Sequence, residues 1–85
     1  METNDGIKVK IFDLEHGLVE YDNIKFIRII SKDYNLLIMK DYMPILGEID
    51  GSISFKNEEI TVEYNPIRAY YVHSDNVFSL MIKDE

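Results

Sequence analysis

The sequence predicts an all-β fold: a small β-sandwich of eight to ten short, mostly antiparallel strands. Apolar residues alternate with polar ones in short segments, as Ile7, Val9 and Ile11 do with two lysines, which is the period of a half-buried strand. Turn-forming residues separate these segments about every 8 to 12 residues, the spacing typical of sandwiches. No segment shows the longer apolar period of an amphipathic helix.

The first half of the chain predicts three strands. Residues 7–11 form the first, residues 13–17 supply a turn, and residues 18–21 form a second strand that pairs with the first as a hairpin. Residues 24–31 carry Ile and Phe at both parities. This pattern predicts a central strand that is covered on both faces or interrupted by a bulge.

The second half predicts strands joined by tight connections. Two apolar runs flank a sharp corner at residues 40–43, with Pro44 at a strand start, where no ladder donor is lost. Asp50 and Gly51 favour a type I′ turn before an alternating strand at residues 53–55. A hairpin to residues 59–64 follows. Asn65 and Pro66 then interrupt the pattern before strands at residues 67–72 and 76–82.

Composition limits the function classes. The 85 residues suit one domain, residues 7–85, preceded by a polar tail at residues 1–6. The net charge of −7 disfavours nucleic-acid binding. No apolar run approaches the roughly 18 to 20 residues of a membrane helix, so we expect no membrane insertion and a cytoplasmic location. The chain has no cysteine, so its core must come from aliphatic and aromatic side chains.

No pattern of reactive residues predicts catalysis. His16 and His73 each lie in a predicted turn, without a second histidine at ligand spacing. Ser74 and Asp75 adjoin His73, but neighbouring turn residues point apart and fit turn chemistry better than a nucleophilic relay. We therefore predict no catalytic residue, no metal and no cofactor.

Residues 31–55, SKDYNLLIMKDYMPILGEIDGSISF, contain an apolar run, a corner with Pro44, a second apolar run and a glycine-linked strand. This order resembles the N-terminal β-sandwich of the F-type ATP synthase epsilon subunit, in which a Gly-x-x-x-Ile-x-x-x-His-x-Pro-Leu-x-x-x-Leu-x-x-Gly pattern occupies the same place. The likeness extends over residues 7–81. The sequence departs from the family at Tyr34 and Asn35, where glycines are usual, at Tyr42, which replaces the corner histidine, and at Asn65 and Pro66, where the family has Gly-Gly.

The resemblance implies a non-catalytic central-stalk subunit that lacks the family's C-terminal helical hairpin. It implies packing on a gamma-type shaft subunit, contact with the polar loops of the membrane ring, and a peripheral position at the membrane through the complex. The positions that match the family's contact loops are Ser31, Lys32, Asp33, Lys40, Asp41, Tyr42 and Met43.

Several interpretations stay open at the level of sequence. Met43 either anchors an interface beside Tyr42 or fills the open end of the sandwich. Tyr70 and Tyr71 must point to opposite faces, so at most one fills the core and the other is exposed. The alternative function is a freestanding β-sandwich adaptor that shares only its architecture with the ATPase subunit.

Overall fold

Seven strands form one continuous sheet in the computed structural model, which describes residues 6–83. Along the sheet the order is β2-β1-β7-β6-β5-β3-β4. The strands are β1 (Ile7–Asp13), β2 (Gly17–Ile24), β3 (Phe26–Ser31), β4 (Tyr34–Met39), β5 (Ile45–Lys56), β6 (Thr61–Ser74) and β7 (Val77–Ile82).

The prediction of an all-β fold is confirmed. Residues 6–83 contain no helix, and hence none that is long and apolar enough to cross a membrane. All strand pairs are antiparallel except β1 with β7, which run parallel. The predicted hairpin of the first two strands is also confirmed, since β1 and β2 pair antiparallel. Of the predicted polar tail, only Gly6 lies within the described residues.

The strand number is lower than predicted because β5 and β6 each cover two of the predicted strands. Asp50 and Gly51 do not form a turn: both lie inside β5, and Gly51 pairs with Ile67 across the sheet. Asn65 and Pro66 do not end a strand either, since β6 continues through them. Here the register shifts, so that these two residues stand where β5 has one, and such a bulge bends a strand pair.

The bend folds the sheet over itself into two layers. The larger layer contains β1, β2 and β7 with residues 67–74 of β6 and 45–50 of β5, and the smaller contains β3 and β4 with residues 52–56 of β5 and 61–64 of β6. The rings of Tyr21 and Phe55, which belong to strands far apart in the sheet order, lie 5.2 Å apart edge to face. The side chains between the layers form one apolar cluster, in which isoleucine predominates and Phe55 and Phe78 are the largest members. The sandwich predicted from sequence is thus one sheet rather than two separate ones.

β3 is flanked on both sides by other strands but is covered on one face only. Ile27 and Ile29 are fully buried, whereas Ile30 is 45% exposed. The expectation of cover on both faces is therefore wrong for this strand. Ile30, an apolar residue at the other parity, lies on the outer surface of the sheet.

Candidate protein-interaction surfaces

The seven residues predicted as contacts lie in two separate loops. Residues 31–33 are at the β3–β4 turn, where Ser31 pairs with Tyr34. Residues 40–43 follow Met39, at the other end of β4. Because β4 runs between them and its six residues span about 17 Å, the two groups sit at opposite ends of one edge strand and do not form a single site.

The β3–β4 turn is held against the middle of β5. The Asp50 backbone N–H donates to Ser31 Oγ at 3.0 Å, and the Lys32 N–H donates to the Asp50 carbonyl at 3.1 Å. Lys32 Nζ lies 3.6 Å from the Asp50 carboxylate, although the lysine side chain remains 70% exposed. A depression of about 470 Å³ beside this turn has a mixed-charge lining that includes Glu48 and Arg68.

The loop at residues 40–43 is fixed by a pair of side chains. Asp41 has a positive φ of 68° and Asn76 one of 62°, a conformation that Asp and Asn tolerate better than most residues. The Asp41 N–H donates to Asn76 Oδ1 at 2.6 Å, and Asn76 Nδ2 donates to Asp41 Oδ1 at 3.0 Å. These two bonds connect the β4–β5 loop to the β6–β7 turn.

Tyr42 and Met43 point in different directions from this loop. Tyr42 is half-buried and its ring meets that of His73 at 6.3 Å, edge to face. Met43 is 66% exposed, so it does not fill the end of the sandwich. The Met43 side chain is therefore accessible to a partner, which its predicted role as a contact requires.

His73 is a buried polar residue in the inner row of β6. Its side chain is fully buried, and neither ring nitrogen has a hydrogen-bond partner among the described residues. The Phe78 ring lies 6.1 Å away. Burial lowers the pKa of His73, because the charged imidazolium loses its hydration there. The prediction of a turn residue at this position is wrong, since β6 continues through Ser74.

His16 is the opposite case, an exposed turn histidine as predicted. Its Nδ1 lies 2.8 Å from the Asp13 carboxylate. This hydrogen bond raises the pKa of His16 and lowers that of Asp13. No group of three or more metal-ligating side chains occurs within residues 6–83.

An apolar surface crosses the outside of the larger layer. Directly paired residues share a face of the sheet, and two outer rows can be followed through the pairings. One row joins Tyr70 of β6 to Met81, Phe12 and Leu18, and the next joins Leu46 of β5 to Val72. We call the six the outer apolar face: Phe12, Leu18, Leu46, Tyr70, Val72 and Met81. Each is more than a third exposed, and Leu46 reaches 76%.

A search of solved structures finds the same fold in a chain of a mitochondrial ATP synthase. The chain superposes on one from the cryo-EM structure of the Tetrahymena thermophila mitochondrial ATP synthase central stalk and c-ring with a TM-score of 0.68. The match covers 98% of this chain and 66% of that one, at 11% sequence identity. At this identity the likeness establishes the shared fold. No protein-family model matches the sequence, and no curated protein matches it.

The outer apolar face was not predicted from the sequence, although part of its signal is present there. β6 carries Tyr70 and Val72 between the buried Ala69, Tyr71 and His73, so apolar residues occur at both parities. Apolar side chains on both faces of a strand indicate a second covered surface. Which strands place them side by side depends on the sheet order, which the local pattern does not contain.

Proposed function

We propose that this chain is a non-catalytic, epsilon-like subunit of the central stalk of an F-type or F1-like rotary ATPase. The observation that supports this most directly is the fold likeness, which runs through nearly the whole chain and has a TM-score of 0.68. The sequence resemblance at residues 31–55 also supports it. The role needs surfaces for packing and no reactive group.

In this proposal the outer apolar face packs on the gamma-type shaft subunit. The face contains Tyr70, Phe12 and Met81, residue types enriched where proteins associate. Neighbouring exposed apolar side chains on a sheet often mark a surface that another molecule covers. The complex would then hold the chain at the membrane periphery on the cytoplasmic side.

The two predicted loops take separate roles in this arrangement. Because residues 31–33 and residues 40–43 lie at opposite ends of β4, one loop can meet the polar loops of the membrane ring while the other meets the shaft. The exposed Met43 and the anchored Tyr42 are the strongest contact candidates at the second loop.

Affinity purification of the tagged chain from its own cells under native conditions tests the proposal. We expect alpha-, beta- and gamma-type ATPase subunits to co-purify with the chain at fixed stoichiometry. The purified complex should hydrolyse ATP, and adding more of the free chain should not inhibit that hydrolysis. A Leu46→Lys/Val72→Lys variant should lose these partners, whereas Leu37→Lys, a matched change of an exposed leucine on the other layer, should keep the shaft subunit. Recovery of a stable monomer, or of a partner unrelated to ATPases, would favour the freestanding adaptor instead.

A further inference from the structure

Within residues 6–83, the strand β4 forms one edge of the sheet, and no other strand pairs with its outer backbone. It pairs with β3 alone, and β5 lies on the far side of β3. Alternate N–H and C=O groups of an edge strand point away from the sheet. Within residues 6–83, the one backbone bond of β4 outside strand pairing is that from the Tyr42 N–H to the Met39 carbonyl.

This edge lacks the features that usually prevent strand addition. β4 reads YNLLIM, without a charge or a proline, although charged residues make up 29% of the chain. The other edge strand, β2, carries Glu20 and Asp22, both ion-paired with Lys8. Natural sheets protect edges with charges of this kind, so β2 is protected and β4 is open.

The segment that contains β3 and β4 is basic in an acidic protein. Residues 25–40 hold four of the nine basic residues and one of the sixteen acidic ones, a net charge of +3, which leaves −10 for the rest of the chain. All four basic side chains belong to exposed residues. Lys32 pairs with Asp50, and the other three have no ion pair with a described residue: Lys25, Arg28 and Lys40.

A second copy of the chain is a poor occupant of this edge. Antiparallel pairing of two β4 strands centred on Leu36 would set Lys32 of one copy opposite Lys40 of the other. Centring the pair on Leu37 would set Asp33 opposite Asp41. Like charges directly opposite one another destabilise a strand pair, so both full-length registers are disfavoured.

We propose that β4 accepts one extended strand from a partner protein, with alternating apolar side chains and acidic residues at its ends. The backbone of the added strand would satisfy the outer N–H and C=O groups of β4. Its apolar side chains would cover Leu37 and Met39, which are 42% and 52% exposed. The acidic ends would lie near Lys32 and Lys40. This role does not depend on the central-stalk assignment, because it follows from the edge itself.

Binding of synthetic peptides to the purified full chain tests the proposal. The probe is a blocked, fluorescently labelled octapeptide of alternating valine and threonine with glutamate at both ends, and the comparison peptide has lysine at both ends. Fluorescence anisotropy should show the acidic peptide binding at least about tenfold more tightly, with an affinity that falls as salt increases. In ¹H–¹⁵N spectra the bound peptide should shift and protect β4 amides.

Edge variants separate strand addition from general adhesion. Leu37→Glu should abolish binding of the acidic peptide, because it places a like charge on the edge. Leu18→Glu on β2 should leave the binding unchanged, and both variants should keep the native spectrum. Equal binding of the two peptides, shifts confined to β2 or to the outer apolar face, or no binding at millimolar peptide would each overturn the proposal. Dimerisation of the free chain through β4 would overturn it too.

Discussion

Asp41 and Asn76 exchange two hydrogen bonds, at 2.6 and 3.0 Å, across the end of the sandwich. The pair joins the loop after β4 to the turn before β7, which are 35 residues apart in sequence. Both residues have positive φ, so each must adopt a left-handed backbone conformation as well as make the side-chain contact. This pair fixes the loop from which Tyr42 and Met43 project.

Loss of these two hydrogen bonds should lower the free energy of unfolding, and the effects of substituting Asp41 and Asn76 should not add. Asn76→Gly keeps the backbone conformation but removes both bonds, whereas Asp41→Gly removes one, because its backbone N–H remains. We expect Asn76→Gly to lower the free energy of unfolding by about 1 kcal/mol and Asp41→Gly by less. In urea denaturation, a coupling energy near zero in the double-mutant cycle would contradict the contact.

His73 should make the protein sensitive to acid. Unfolded, His73 titrates near its ordinary pKa of 6.5, whereas burial lowers the pKa in the folded state. The unfolded chain therefore takes up the proton first. The part of the stability that depends on His73 is complete above pH 6.5 and falls as the pH decreases toward the folded pKa, by at most about 1.4 kcal/mol per pH unit for one proton.

His73→Phe tests this assignment by removing both ring nitrogens while retaining a ring of similar size. We expect it to be more stable at pH 7 by about 1 kcal/mol, since no buried nitrogen is left unsatisfied, and to lose the decline between pH 6.5 and 5. His16→Gln is a control, because the pH dependence expected for His16 has the opposite sign. Asp13 raises the pKa of His16, so the contribution of His16 to stability is present below pH 6.5 and is lost as the pH rises. If the free energy of unfolding of His73→Phe fell between pH 6.5 and pH 5 as much as that of the parent protein, His73 would not be the cause of the acid sensitivity.

Gly51 should be essential to the bend between the layers. A Cβ at this position would lie 2.1 Å from the Ile30 carbonyl oxygen, a backbone atom that is fixed by strand pairing. Gly51→Ala should therefore destabilise by about 3 kcal/mol or more, at the upper end of overpacking costs. Thermal unfolding measures the change directly.

Gly47 in the same strand provides the matched comparison. There a Cβ would meet the Tyr71 hydroxyl at 2.8 Å, the end of a side chain rather than backbone. That hydroxyl lies 3.1 Å from the Tyr34 hydroxyl, which donates to the Glu48 carbonyl at 2.7 Å. We expect Gly47→Ala to cost about 1 kcal/mol; a loss as large as that of Gly51→Ala would show that the bend has no special requirement for glycine.

The local sequence predicted the all-β class and the first hairpin, because alternation and turn residues act over a few positions. It also predicted that at most one tyrosine of the adjacent pair fills the core, and Tyr71 is 2% exposed whereas Tyr70 is 50% exposed. It failed at Gly51 and at Asn65 and Pro66. These residues favour turns locally, but here they serve a bend in two long paired strands, with Gly51 giving Ile30 room to approach.

The candidate surfaces were predicted in part. The two loops were inferred from a resemblance, and their role stays a prediction. The outer apolar face depends on β1, β2, β5, β6 and β7 lying side by side, including the parallel pairing of the first and last strands. No local pattern encodes that order. The open edge at β4 likewise becomes visible only when the terminal strands of the sheet are known.

Site-specific photo-crosslinking in the source cells tests the central claim most directly. A photoreactive amino acid at Val72, on the outer apolar face, is compared with one at Ser54, on the outer face of the other layer. We predict that the Val72 probe crosslinks to a gamma-type shaft subunit of a rotary ATPase and that the Ser54 probe does not. Crosslinking of Val72 to no rotor subunit, or to another copy of this chain, would contradict the central-stalk assignment.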